Sequence, residues 1–362
     1  MGGTGPTGCT ESPGQVVQLV GPSGIENQQD MVPPCFHHNS LPTLLDQAQP
    51  VAISWKYYAN ATDMDQSGPQ GIWTAPNAIY DICMPLDGTQ TVCTGSDWVN
   101  DVVFGTSQVL HDLGASSPTE CGLRQVSWVV PNGDRSDHPG FGKDQKYSTD
   151  IEGGPSWVAD IINAVGNSPC ANPDTSSYWN TTAIFVVWDD WGGFWDHVNP
   201  DKSANGPGVN FNCTFWGCGY TYGFRVPLLV VSAYTGVQNK DGTYSGYVSG
   251  ACQSPGVCQN EKPPYLHDFG SIVAFIENNF LGSGAIGQIN AQNRYPFADN
   301  FAPDYTPPPN LHVPLADFFP LTKARLFQQI ILPPSWQSYD TNHFLNYNGP
   351  ILDPDNDAID ND

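Results

Sequence analysis

The chain has 362 residues, of which 12 are Lys or Arg and 36 are Asp or Glu, so its formal net charge is −24. This length suits one large or two ordinary domains with a sizeable core, and so anionic a chain disfavours nucleic acids and acidic bilayers as partners. No stretch approaches about 18 uninterrupted apolar residues, so we expect no membrane-spanning helix and no stable membrane anchor.

Strands and helices are predicted to alternate between about residues 50 and 280. In chain order, the pattern predicts a short helix at 41–48, a strand at 51–58, an amphipathic helix at 99–113, a strand at 126–130, a helix at 157–165, strands at 182–188 and 226–232, and a helix at 272–280 capped by Asp268 or Ser271. Such alternation is typical of a loop-rich α/β domain with a mostly parallel central sheet and helices on both faces.

The composition changes after residue 300. Residues 303–362 contain ten prolines, and the chain ends in an acidic run at 353–362. We therefore assign residues 1–300 to the main domain and residues 301–362 to a Pro-rich extended segment with an acidic tail.

Ten cysteines and the absence of any Cys-x-x-Cys pair predict a disulfide framework rather than a zinc ribbon or a redox motif. A disulfide framework indicates a secreted or extracytoplasmic protein. Pairs that are close in sequence, with turn-forming residues between them, are predicted to be bonded: Cys83–Cys93, Cys252–Cys258 and, likewise, Cys213–Cys218.

The strongest chemical pattern follows the predicted strand at 182–188. That strand leads directly into Asp189 and Asp190, a Gly-Gly turn at 192–193, and then Asp196 and His197. Adjacent carboxylates repel each other unless a cation or a proton lies between them, and hard oxygen ligands suit Mg²⁺, Ca²⁺ or Mn²⁺ and are also accepted by Zn²⁺. The alternative is a solvated turn whose Asp side chains cap the following segment. Residue types alone leave both readings open.

A second polar loop follows the predicted strand at 126–130. It contains Asp134, Asp137 and His138. A histidine beside an aspartate can act as a general acid, as a donor to a phosphate oxygen, or as a metal ligand. The Asn132-Gly133 dipeptide also fits an ordinary turn, so this loop is not decisive by itself.

Several common catalytic signatures are missing from the sequence. It has no G-x-S-x-G elbow, P-loop, H-E-x-x-H helix or G-x-G-x-x-G turn after a strand. Their absence disfavours the usual serine esterases, nucleotide hydrolases, zincins and dinucleotide enzymes.

The motifs together resemble the phosphoesterase family that contains bacterial phospholipases C and related acid phosphatases. The resemblance extends in order over roughly residues 35–285, and four motifs carry it. They are an Asp-Asp-x-Gly-Gly-Phe-x-Asp-His-Val motif at 189–198, a Gly-x-Arg-Val-Pro strand at 223–227, a Trp-Val-x-Pro strand with its Asp-His-Pro loop at 128–139, and a His-Asp…Phe-Ile-Glu helix at 267–277.

The resemblance implies an alkaline-phosphatase-like α/β fold and metal-assisted hydrolysis of phosphate esters. It implies that Asp189 and Asp190 bind a divalent metal ion and that His138 contacts the phosphoryl group. We assign Asp137 and His197 to the same catalytic set, and Asp196 to orienting His197 or the turn.

One part of the family pattern is missing. The Glu-Asn-x-Ser/Thr-Phe-Asp strand that completes the family's metal site does not occur, and the first residues lack the basic-then-apolar start of a signal peptide. We therefore expect a chain without the family's N-terminal strand region. Thr4, in the small-residue segment 2–5, is then the candidate nucleophile.

These observations predict phospholipase C-like cleavage of a phosphodiester, with a phospholipid as a candidate substrate. The alternatives are an acid phosphatase acting on monoesters, an inactive fragment, and a non-catalytic secreted relative that binds a metal or a ligand. A carbohydrate-binding module would account for the many aromatic residues but not for the carboxylate pair at a strand end. The sequence leaves the identity of the metal and the oligomeric state open.

Overall fold

A computed structural model describes the chain in sixteen segments. These are residues 8–11, 14–20, 26–36, 41–46, 48, 50–59, 74–85, 92–105, 108–115, 120–131, 154–170, 177–190, 224–239, 241–249, 269–281 and 315–331. The chain divides into two compact units, the first formed by Met1–Val17, Met31–Tyr178 and Gln328–Asp362, and the second by Gln18–Asp30 and Trp179–Phe327.

Short helices and strands make up both units. The helices are α1 Leu41–Asp46, α2 Tyr80–Cys83, α3 Ser96–Asp101, α4 Gln108–Asp112, α5 Gly154–Asn167, α6 Tyr178–Thr181 and α7 Phe269–Ile276. The strands are β1 Val17–Val20, β2 Glu26–Val32, β3 Trp55–Ala59, β4 Val102–Phe104, β5 Val126–Val129, β6 Ala183–Val187, β7 Leu228–Ser232, β8 Val237–Gln238, β9 Tyr244–Ser245 and β10 Val248–Ser249.

The first unit contains a three-stranded parallel sheet of order β4-β3-β5. Tyr57 of β3 pairs with Val102 on one side and with Trp128 on the other. All five residues of β3 are buried, which is the pattern of a central strand covered on both faces. The parallel sheet with its helices agrees with the predicted α/β class.

The predicted helix at 99–113 is wrong. The segment forms the end of α3, the strand β4 and the helix α4, with Gly105 at a φ of +115° between the last two. Val102 and Val103 pair with β3, where β-branched side chains pack well, and this tertiary pairing outweighs the helical spacing of the apolar residues.

The three-stranded sheet of the second unit has the order β10-β7-β6, and both of its strand pairs are antiparallel. The expectation that the apolar segments at 182–188 and 226–232 form parallel strands is therefore wrong for β6 and β7. An apolar run predicts a strand but does not specify the direction of its neighbour. The residues of β6 are in fact only partly buried, and Val187 is exposed.

The predicted helices at 157–165 and 272–280 are confirmed. Helix α5 buries Trp157, Ile162 and Val165, and α7 continues into a π-helical turn over Glu277–Leu281. Ser271 is buried within α7 rather than capping it, because the helix already begins at Phe269. Asp268, the other predicted cap, lies outside the described residues.

Three disulfides join the six cysteines in the described part of the chain. Cys83–Cys93 confirms the prediction, whereas Cys9–Cys35 and Cys121–Cys170 were not predicted. The other predicted pairs, Cys213–Cys218 and Cys252–Cys258, lie outside the described residues.

The described part of the C-terminal segment begins with a 3₁₀ turn at Ala316–Phe318 and then runs to residue 331 without helix or strand. Within the second unit, the Arg325 guanidinium donates to the carbonyls of Thr235 and Gly246 and lies over the Tyr247 ring. The boundary at residue 300 stays a prediction. Over the described ranges, no helix is long and apolar enough to cross a bilayer.

Candidate functional site

The predicted carboxylate pair lies just beyond the carboxyl end of β6. Trp188 follows the last strand residue, Val187, and the chain bends at Asp189 and Asp190, both of which are exposed. The backbone N–H of Asp190 donates to Asp189 Oδ1 over 3.1 Å. One oxygen of Asp189 thus stabilises the bend, as the turn interpretation expects.

Antiparallel pairing brings a second segment to the same edge of the sheet. Val187, the last residue of β6, pairs with Leu228, the first residue of β7. The chain that leaves β6 and the chain that enters β7 therefore meet at one edge. Residues 224–227 lie there, and among them Phe224 and Arg225 are exposed.

The remaining predicted site residues lie outside the described part of the chain. They are Thr4, Asp134, Asp137, His138, Asp196 and His197. That His138 contacts the phosphoryl group and that Asp137 and His197 belong to the same catalytic set stay predictions. The structure does bring the two aspartates together at the end of a strand, although that strand pairs antiparallel to β7.

The donor chemistry of this edge fits a hard divalent cation. Asp189 and Asp190 are adjacent, exposed carboxylates, the type of ligand that Mg²⁺, Ca²⁺ and Mn²⁺ prefer. Among the described residues, no group of three or more His, Cys, Asp or Glu side chains is placed to hold a metal ion. The pair would therefore supply two ligands of a larger set.

A second polar cluster, in the first unit, was missed by sequence reasoning. Lys56 Nζ lies 2.5 Å from Asp112 Oδ2, and the Tyr58 hydroxyl donates to the same oxygen over 2.7 Å. Burial, and then the hydrogen bond to the Asp112 carboxylate, raise the pKa of Tyr58 above its ordinary value, so its hydroxyl stays protonated. A lysine within the apolar run of β3 was the signal that a buried anion lies nearby.

Asp112 also lines an open cleft of about 430 Å³, together with Gln108, His111, Glu120, Cys121 and Gly122. His111 Nδ1 lies 3.5 Å from Glu120 Oε2. Because Asp112 is already occupied by Lys56 and Tyr58, we assign this cluster to holding α4 against the parallel sheet.

Comparison with known proteins identifies the family. The sequence profile of the Phosphoesterase family matches residues 5–281, which include both three-stranded sheets and the Asp189–Asp190 pair. The chain belongs to this phosphoesterase family.

Curated relatives of this phosphoesterase are bacterial phospholipases C. It is 28% identical over 218 residues to a non-hemolytic phospholipase C of Burkholderia pseudomallei, with 54% of this chain and 28% of that protein covered. It is 27% identical over 192 residues to a non-hemolytic phospholipase C of Pseudomonas aeruginosa, covering 53% and 23%. It is 24% identical over 233 residues to phospholipase C B of Mycobacterium tuberculosis, covering 60% and 39%.

The alignments thus span well under half the length of these relatives. Family membership and these similarities support hydrolysis of phosphate esters as the class of reaction.

Proposed function

We propose that this phosphoesterase cleaves phosphodiesters in the manner of a phospholipase C, with a divalent metal ion held by Asp189 and Asp190. The observation that carries the proposal is the exposed carboxylate pair at the end of β6, within the sequence that matches the family. A solvated turn alone would not require two adjacent negative charges, which repel each other.

The chemistry is nucleophilic displacement at phosphorus. A hydroxyl, for which Thr4 is the candidate, forms a bond to phosphorus while the bond to the leaving alcohol oxygen breaks, and the alcohol departs with a proton. Water then hydrolyses the phosphorylated hydroxyl. A bound divalent cation supplies charge that stabilises the phosphoryl oxygens and lowers the pKa of the attacking hydroxyl.

The side chains of the chain have separate tasks in this scheme. Asp189 and Asp190 hold and orient the cation, and His138 donates a hydrogen bond to the transferring phosphoryl group. Asp137, beside His138, and His197, beside Asp196, complete the proposed catalytic set.

Two observations favour a phosphodiester with an apolar part over a small monoester. The three relatives compared above are named phospholipases C. The edge of the sheet that carries the carboxylate pair also carries Phe224 and Val187, two residues that are 41% and 38% exposed. Exposed apolar groups next to the site suit a substrate that is itself partly apolar.

The non-catalytic relative is the second candidate. A metal- or ligand-binding protein would retain the carboxylate pair without turnover.

The proposal also includes an alkaline-phosphatase-like fold and an extracytoplasmic location for this protein. The parallel sheet of the first unit with its helices supports an alkaline-phosphatase-like arrangement. The three disulfides support an oxidising, extracytoplasmic compartment.

The test compares two substrates on the purified chain, dihexanoylphosphatidylcholine and p-nitrophenyl phosphate, before and after EDTA treatment and after metal is restored. The proposal expects faster cleavage of the diester, loss of activity in EDTA and recovery with metal. Faster cleavage of the monoester would support the phosphatase alternative. Metal binding without turnover of either substrate would support the non-catalytic relative.

A further inference from the structure

The edge of the sheet that carries the carboxylate pair also carries a cation. Arg225 lies three residues before Leu228, and Asp190 lies three residues after Val187; Leu228 and Val187 pair in the antiparallel register. Arg225 and Asp190 are therefore at equivalent distances from the last strand pair, at the same edge, and both are exposed. The register, rather than proximity in sequence, places this cation at the same edge of the sheet as the aspartates.

Cations are scarce in this protein, so the position of each one is informative. The whole chain has 12 Lys and Arg residues against 36 acidic ones. In the described part of the second unit, the cationic side chains are Arg225, Lys323 and Arg325.

These three residues have different surroundings. The Arg325 guanidinium donates to two backbone carbonyls and stacks on an aromatic ring, so its role is structural. Lys323 lies in the extended segment that follows the 3₁₀ turn at Ala316–Phe318. Of the three, Arg225 is the one that the strand register brings to the edge with the carboxylate pair.

A guanidinium at this position suits a phosphate ester. Its planar fork donates two parallel hydrogen bonds to the oxygens of a phosphate, which fixes orientation as well as affinity. Carboxylates alone repel an anionic substrate, and a neighbouring cation offsets that repulsion.

We propose that Arg225 binds the phosphate group of the substrate and orients the ester at the Asp189–Asp190 edge. This inference rests on the proposed function and adds a substrate-binding residue to it. The recognised chemistry is a tetrahedral phosphate with unesterified oxygens, which a lipid headgroup and free phosphate share.

The test compares Arg225→Gln and Arg225→Lys with the wild-type chain, and Lys323→Gln serves as the control. Lys323 lies between Leu321 and Arg325, whose N–H groups donate to the carbonyls of Tyr234 and Ala233 just after β7. Lys323→Gln therefore removes one exposed positive charge from the opposite end of that strand. Binding of inorganic phosphate is measured by calorimetry at constant ionic strength, and kcat and KM are measured separately on dihexanoylphosphatidylcholine.

Arg225→Gln is expected to weaken phosphate binding and to raise KM by roughly tenfold, because the lost hydrogen bonds are to a charged group. Arg225→Lys keeps the positive charge but loses the planar guanidinium group. Its phosphate affinity and its KM should therefore lie between those of Arg225→Gln and those of the wild type. Lys323→Gln should match the wild type. If Arg225→Gln weakens the binding of inorganic phosphate but leaves KM for the diester unchanged, the ligand is a free phosphate or a monoester. If it weakens phosphate binding and also raises KM, the ligand is the diester headgroup.

Wild-type affinity and KM in Arg225→Gln would overturn the inference while leaving the proposed function intact. If Arg225→Gln fails to fold, as judged by near-UV circular dichroism, Arg225→Lys decides: wild-type affinity and KM in that variant overturn the inference. A wild-type chain that neither binds phosphate nor cleaves either ester would overturn both proposals.

Discussion

Lys56 Nζ and Asp112 Oδ2 lie 2.5 Å apart, with side chains only 10% and 13% exposed. Removing one partner leaves the other charge buried and uncompensated, so Asp112→Ala should lower the free energy of unfolding by about 3–5 kcal/mol. Adding Lys56→Met to that variant removes the stranded charge and should recover part of the loss. Urea unfolding of the wild type, both single variants and the double variant measures the coupling; strictly additive effects would contradict this account.

A pH effect on stability is expected from Asp46, whose Oδ1 accepts a hydrogen bond from Trp55 Nε1 at 2.9 Å. Desolvation, and to a lesser degree the charges of Asp97 and Asp101, raise the pKa of Asp46 to about 6. At pH values between about 3.9, the pKa of an aspartate in the unfolded chain, and about 6, the folded chain therefore binds more protons than the unfolded chain. This carboxyl makes stability fall as pH rises from about 4 to 6.

Asp46→Asn keeps an acceptor for Trp55 and removes the titration. Its stability relative to the wild type should therefore rise as the pH increases from 4 to 7, measured by thermal unfolding at several pH values. Asp241→Asn is the matched control, because hydrogen bonds from Thr243 lower the pKa of the exposed Asp241 carboxyl and its stability difference from the wild type should stay constant between pH 4 and 7. A pH-independent difference for Asp46→Asn would contradict the assignment.

Each disulfide should stabilise the folded protein by an amount that increases with the length of the loop that it closes. Cys83–Cys93 closes 10 residues and Cys121–Cys170 closes 49, so the loop-entropy relation predicts a loss of about 3 and about 4 kcal/mol on replacing each pair with serines. Peptide mass mapping without reduction should recover both pairs. Free thiols at these cysteines would refute both the pairing and the oxidising compartment.

Two buried serines should respond in opposite ways to replacement by alanine. Among the described residues, Ser156 Oγ is buried without a hydrogen-bond partner, whereas Ser249 Oγ donates to the Phe318 carbonyl at 2.7 Å and accepts from the Gly236 N–H at 3.2 Å. Ser249→Ala should cost about 1–3 kcal/mol, because it leaves buried backbone groups unsatisfied. Ser156→Ala should leave the thermal midpoint unchanged or raise it; an equal loss in both variants would contradict this assignment.

Local features of the fold could be predicted from the sequence, and non-local ones could not. The apolar runs correctly predicted β5 and β6, and the short spacing of Cys83 and Cys93 predicted their bond. The direction of β7 relative to β6 was not predictable, because the same apolar run suits either orientation. Ten cysteines can pair in many combinations, so a long-range disulfide such as Cys121–Cys170 could not be predicted from the sequence.

The same limit applies to the candidate site. Asp189 and Asp190 are adjacent in sequence and follow a recognisable strand, so their position at a strand end was predictable. Arg225 lies in the Gly-x-Arg-Val-Pro motif at 223–227, but its place at the same sheet edge as the aspartates depends on which residues of β6 and β7 pair. The pairing of Lys56 with Asp112, 56 residues apart, likewise depends on tertiary structure.

The most direct test of the central claim is the metal content of Asp189→Asn. A carboxylate gives the cation a full negative charge whereas an amide oxygen gives only a dipole, so metal content and phosphodiester hydrolysis should both fall by roughly a hundredfold or more. Asp241→Asn, another exposed aspartate of the same unit, is the control and should retain the metal, and Asp196→Asn should have a smaller effect than Asp189→Asn. If mass spectrometry of the dialysed Asp189→Asn protein finds wild-type metal content, and its rate is also that of the wild type, the carboxylate pair is only a turn and the account is contradicted.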